Sequence, residues 1–143
     1  MRKNKANSIY PLANAIAIEI AMNIHDSKKI KELKTELKDE YTYCKPYLDS
    51  YNFWDMMAEA NVNLCKLLIE PTVKDNYKNL ETSISKAWET AGTENKKQSE
   101  LEHIDFLIKI YTDAKGDKQV QRLADLKTFL SQLKDADNIE LIF

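Results

Sequence analysis

Apolar residues return every three or four positions along nearly the whole chain, the spacing of one face of an α-helix. Ile9, Leu12, Ala13, Ile16, Ile20 and Ala21 form the first stripe, over 8–24. Pro11 falls in its first turn, where a missing N–H does no harm. The small residues Ala13, Ala15, Ala17 and Ala21 leave room for a neighbouring helix to approach closely. Asp26 and Ser27 then supply an N-cap signal. Ile30, Leu33, Leu37, Tyr41 and Cys44 follow at helical steps until Pro46 ends or kinks the segment. The pairs Glu32–Glu36 and Lys34–Lys38 carry like charges four residues apart. They give this helix no ion-pair support, so its stability must come from the packed stripe.

The same rhythm continues to the end of the chain. Asn52 is placed to cap a third helix, with Asp55 three residues on as a short capping box. Its stripe is Phe53, Met57, Ala60, Leu64, Leu67 and Leu68, closed by Pro71 and Thr72. Val73, Tyr77, Leu80, Ile84, Ala87 and Trp88 line a fourth helix, with Gly92 expected as a left-handed C-cap. The polar stretch Thr93 to Ser99 leads into a fifth stripe of Leu101, Ile104, Leu107, Ile108 and Tyr111, closed by Gly116. Asp117 is placed to cap a sixth helix carrying Val120, Leu123, Leu126, Leu130 and Leu133. An apolar C-terminal tail, 138–143, follows; it folds back over the last hairpin or adds to a partner's surface.

The spacing therefore predicts an all-α fold of about six antiparallel helices in three helical hairpins, about 8–48, 52–92 and 95–136, in one domain spanning 1–143. The hairpins recur at a little over 40 residues, the rhythm of a hairpin-repeat solenoid. A closed helical bundle is the alternative. Only 2 Gly and 3 Pro among 143 residues leave little turn chemistry for an all-β fold. A 43% hydrophobic and 31% charged composition fits a folded domain with a well-solvated surface.

Charge and chemistry narrow the function classes. The formal net charge is -2 with both signs interleaved, so no global field draws the chain to nucleic acid or an anionic membrane. The basic cluster Arg2, Lys3 and Lys5 is expected to be a solvated end, and no basic groove that would stack bases is visible. No apolar run approaches the ~20 residues that span a bilayer. Glu19 interrupts the Ile9–Met22 stretch that faintly resembles a signal peptide, and no small-residue cleavage site follows. Cys44 and Cys65 are expected to be buried free thiols in a reduced, cytoplasmic protein.

No catalytic, cofactor or metal constellation stands out. Glu100 and His103 form one Glu-x-x-His pair, but a carboxylate di-iron site needs two such pairs and two more Glu. His25 has no Glu three residues before it and is expected at a helix end. The segment Ala91-Gly92-Thr93 lacks the rest of a phosphate loop. Asp113 to Asp117 lacks the ligands of a calcium loop. These absences point to a non-catalytic module with no cofactor. A small helical ligand-binding bundle or an unfamiliar enzyme using Cys44, Cys65, His25 or His103 is the alternative.

Two stretches carry a likeness. Ser8-Ile9-Tyr10-Pro11-Leu12-Ala13-Asn14-Ala15 and Asn52-Phe53-Trp54-Asp55-Met56-Met57-Ala58-Glu59-Ala60 resemble the openings of degenerate tetratricopeptide-like hairpins. In that family an early Trp and a small residue four positions later pack the two helices together; Trp54 and Ala58 match that pair, while the later small-residue and Pro signatures are out of register. Such hairpins occur in the C-terminal regions of some large bacterial multidomain proteins. The resemblance implies a right-handed α-solenoid of three hairpins that scaffolds a protein partner or its own copies. The face it implies is the first helix of each hairpin, with Asn14, Glu19, Glu59, Asn63, His103 and Lys109 as the polar contact residues.

Overall fold

A computed structural model describes residues 9–134, so the basic N-terminal cluster and the apolar tail 138–143 lie outside the described residues. Six α-helices follow one another: α1 (Ile9–Met22), α2 (Ser27–Cys44), α3 (Phe53–Ile69), α4 (Lys74–Ala91), α5 (Glu94–Asp113) and α6 (Asp117–Ser131). A single 3₁₀ turn, Lys45–Tyr47, carries Pro46 and ends α2 where the sequence places the break. There is no strand among the described residues, and no helix there is long and apolar enough to cross a membrane.

The helix starts obey local chemistry. Asp26 accepts the Lys29 N–H at 3.1 Å, and Asn52 accepts those of Trp54 and Asp55 at 2.9 and 3.1 Å. Asp55 does not complete a capping box; its carboxylate accepts from the Asp49 N–H at 2.9 Å and holds the preceding turn instead. Thr93 caps α5 through the Lys96 N–H at 3.3 Å, so the polar stretch Thr93 to Ser99 is the first two turns of a helix and not a connection.

Gly92 acts differently from expectation, whereas Gly116 closes α5 as expected. Gly92 has φ -69° and ψ 139°, an extended backbone open to any residue. Its bare Cα is needed for space: a Cβ there would lie 2.1 Å from Trp88 Cδ1. After α5 the left-handed residue is Lys115, at φ 61°, and the Gly116 N–H closes the turn on the Tyr111 carbonyl at 2.9 Å. Gly116 is itself the N-cap of α6, and Asp117 sits in that helix's first turn.

Consecutive helices pair as α1–α2, α3–α4 and α5–α6, the three expected hairpins. Helix α3 is the axis of the molecule and touches α1, α2, α4 and α6. Helix α1 lies between α3 and α5. Its small residues explain why: Ala13, Ala17 and Ala21 are buried, Cys65 Sγ donates to the Ala13 carbonyl at 3.2 Å, and the Tyr111 hydroxyl donates to the Ala17 carbonyl at 2.6 Å. Ala15 faces outward. The third hairpin lies along α1, while α6 touches α3 and α4.

The C-terminal end of α3 is tied from two sides. Asn76 donates to the Lys66 and Glu70 carbonyls at 3.3 and 3.1 Å. From α6, Gln119 donates to the Leu68 carbonyl at 3.1 Å and Arg122 to the Pro71 carbonyl at 3.0 Å. The Leu68 carbonyl is one that a helix end leaves without an intrahelical partner, while those of Lys66 and Glu70 also accept the Glu70 and Val73 N–H groups; together these bonds fix the end of α3 beside which a surface groove opens.

Candidate functional site

Helix α2 buries only Leu33, Leu37 and Cys44, and the rest of its surface separates by charge. Lys31, Lys34 and Lys38 stand on the edge that overlooks α3. Glu32, Glu36, Asp39 and Glu40 follow the opposite edge, together with Lys28, and Lys31 borders both edges. The like-charged pairs that look unhelpful in the sequence are therefore steps in two parallel rows. Each such pair destabilises an isolated helix by roughly 0.2–0.5 kcal/mol, so the segregation is not what helix stability alone would select.

The lysine edge borders a groove between α2 and the C-terminal half of α3. Its outer part encloses about 680 Å³ and runs from Ile24 and His25 along Ile30, Lys31 and Lys34 to Ile69 and Glu70. A deeper part of about 210 Å³ continues past Leu37 to Tyr41, Val62 and Lys66. Lys34, Lys38, Ile69 and Glu70 line both parts, so the two are one feature. The half-buried Ile24, Ile30 and Ile69 give it an apolar floor, and four exposed lysines give it a cationic rim. Glu70 is the one carboxylate among these described lining residues, and it accepts from Lys34 Nζ at 2.7 Å. Both partners are about half exposed, so the pair adds little to stability.

Tyr41 closes the far end. The ammonium groups of Lys45 and Lys66 lie 5.9 and 6.0 Å from its ring centroid. Burial, reinforced by the Glu59 carboxylate that bonds its hydroxyl, pushes the phenol up to about 12, so it stays neutral and remains a donor. The groove can hold an anionic, partly apolar ligand.

The six polar positions singled out from the sequence do not gather on one face. Asn14 is half-buried and accepts from Asn61 at 3.3 Å, while Glu19 and Lys109 are exposed on α1 and α5. Glu59 and Asn63 do come together, lining a cleft of about 340 Å³ between α3 and α4, where Asn63 donates to Ser83 at 3.2 Å. His103 is half-buried on α5, with no partner for Nε2 among the described residues, and burial holds its pKa below the ordinary histidine value. Trp54, expected to pack a hairpin against Ala58, is 49% exposed; its ring stands edge-on to Tyr10 and Phe53, and Ala58 alone is buried.

Two charged residues in the core escaped the sequence reading. Lys97 and Glu100 begin the buried stripe of α5, ahead of Ile104, Leu107 and Tyr111. Lys97 donates to the Leu133 carbonyl and lies 3.7 Å from Glu94. Desolvation pushes the Glu100 carboxyl up to about 7. Its field also raises the Tyr10 phenol, after burial, against the lowering effect of hydrogen bonds from Asn61 and Asn14. The buried Cys65 thiol is pushed up to about 12 by desolvation, which keeps it protonated and poorly nucleophilic. Cys44 is buried as well, with Sγ 3.6 Å from the Glu40 carboxylate. Among the described residues, no three His, Cys, Asp or Glu side chains form a group that could hold a metal ion.

Comparison with known protein families, curated proteins and solved structures finds no match to this chain.

Proposed function

We propose that this chain is a non-catalytic module that binds a protein partner, and that the lysine-rimmed groove between α2 and α3 is its contact surface. One observation carries the reading: α2 commits only three of its 18 residues to the core and sorts its surface charge into opposed rows beside an apolar-floored groove. A helix kept only for packing has no use for such an arrangement.

The tetratricopeptide-like likeness belongs to this proposal as a statement about construction. It is supported by three successive hairpins whose first helices, α1, α3 and α5, run in the same sense: Tyr10 meets Trp54 and Asn14 meets Asn61, while Ala17 meets Tyr111 and Ile24 lies against Gly116. The exposed Trp54 and the placement of α5 on α1 set it apart from a serial solenoid. A role as the helical part of a larger bacterial protein, in the cytoplasm, fits the same proposal.

Immobilised chain, incubated with lysate of its native source, should retain a specific protein above an inert helical control. Single-face variants then locate the contact: Lys34→Glu with Lys38→Glu on α2, Asn63→Arg in the α3–α4 cleft, and Phe106→Asp with Lys109→Glu on α5. Retention lost only in the α2 variant supports the groove. No specific retention, or turnover of a small molecule by the purified chain, would overturn the module reading.

A further inference from the structure

We propose that the groove receives an acidic, apolar-centred helix contributed by a protein partner. This rests on the interaction-module reading and names the chemistry of what binds there.

Charge complementarity selects an acidic occupant, since Lys31, Lys34, Lys38 and Lys66 share the groove with a single carboxylate among its described lining residues, Glu70. The apolar floor selects against a purely ionic one: Ile69, shared by both parts of the groove, is half-buried and offers surface that an aliphatic side chain would cover. The rim selects the conformation. Lys31, Lys34 and Lys38 repeat at three and four residues along α2, steps of about 5–6 Å. Carboxylates at the same spacing on a second helix meet that row in register; same-face positions of an extended chain fall about 6.6 Å apart and drift out of register by the third lysine. The 18-residue α2 gives the rim a length of about 27 Å.

The opposite edge of α2 excludes a wider polyanion. Glu32 and Glu36 lie just across the exposed ridge from the lysines. A nucleic-acid duplex broad enough to reach over that ridge would bring phosphates against carboxylates. A single helix stays on the basic side.

The test is fluorescence anisotropy with the whole chain and a labelled synthetic helix of about 18 residues, bearing Glu at three- and four-residue steps on each flank of a Leu stripe. Binding is expected to weaken at least about tenfold in the Lys34→Gln, Lys38→Gln double variant, and by a similar factor between about 50 and about 500 mM salt. Glu70→Gln is expected to tighten binding about threefold, because it releases Lys34 and removes the opposing charge. All three substitutions lie on exposed side chains, and unchanged circular dichroism verifies the fold. Equal binding of a helix with Gln for Glu, or of a Glu-rich helix with Ser for Leu, would overturn the proposal. So would insensitivity to the lysine substitutions, tighter binding of a duplex oligonucleotide, or a gain of affinity on deleting 135–143, which would assign the groove to the chain's own segment. Lysate retention that survives the α2 variant but fails in the α5 variant would refute the acidic-helix proposal and leave the module reading standing.

Discussion

Helices α2 and α3 are nearly equal in length and lie side by side, yet they are built for different ends. In α3, 11 of 17 residues are buried, and apolar side chains face outward in almost every direction because four other helices surround it. In α2, three of 18 are buried, Ile30 and Tyr41 are half-buried against the core, and most of its charged side chains face solvent. A helix that is apolar all round belongs at the centre of a packed structure. A helix with a narrow stripe and sorted charges contributes little to that structure and presents a surface. The fold therefore depends on α3, and α2 is the helix to which our proposal assigns recognition.

The largest expected effect breaks this contrast at its stable end. Leu67, on α3, has no exposed surface, and Leu67→Ala is expected to cost about 3 kcal/mol or more in chemical denaturation. A loss below about 1 kcal/mol would mean that the centre of the molecule is loosely packed.

Glu100 gives the next effect, and it depends on pH. The folded carboxyl titrates at about 7, above an unfolded glutamate near ~4.3. Between those values the folded state keeps a proton that the unfolded state has lost, so stability falls as pH rises through this window and stays low above it. The fall is roughly 3–4 kcal/mol. Glu100→Gln is expected to remove it and to stabilise the protein at alkaline pH. His103, whose pKa burial lowers, destabilises the fold as it gains a proton at acid pH, so the quantity to measure is the difference between variant and parent. Parallel stability–pH curves for the two would show that Glu100 is not desolvated.

Gly92→Ala follows, at about 1–3 kcal/mol, because the new Cβ drives into the buried Trp88 indole. The penalty should shrink in a Trp88→Leu background, since the two sites are coupled. An undiminished penalty there would place the cause in the backbone. Lys115→Gly is expected to stabilise by about 1 kcal/mol, by relieving a left-handed lysine, and thermal unfolding reads it directly. Smallest of all, Lys34→Gln with Lys38→Gln should change stability by less than about 0.5 kcal/mol, as exposed charges do. A loss near that of Leu67→Ala would make α2 a structural helix after all.

The helices were legible because periodicity and caps are local. The Asp26 and Asn52 caps, the Pro46 break and the small-residue face of α1 could all be read before any tertiary contact was known. What failed to show depends on neighbours. Gly92 looks like a C-cap, but its role is set by where the Trp88 ring lies. Lys97 and Glu100 look like linker residues because nothing local says that the first turns of α5 are covered. The groove was hidden by counting charges along the chain, where Lys31, Lys34 and Lys38 alternate with Glu32, Glu36 and Asp39 and appear balanced. Plotting the same residues around the helix separates them, so the like-charged four-residue pairs were the available signal. The six proposed contact residues were chosen as polar positions on first helices; Asn14 and Glu19 stand five residues apart and His103 and Lys109 six, steps that put each pair on different sides of a helix with about 3.6 residues per turn.

Amide chemical-shift mapping on the labelled chain, titrated with the acidic amphipathic helix, tests the division of labour most directly. Shifts confined to Ile30–Tyr41 of α2 and Val62–Glu70 of α3, saturating together, are the expected result. Saturable shifts centred on α5, or no saturable shifts at all, would contradict the assignment of recognition to α2.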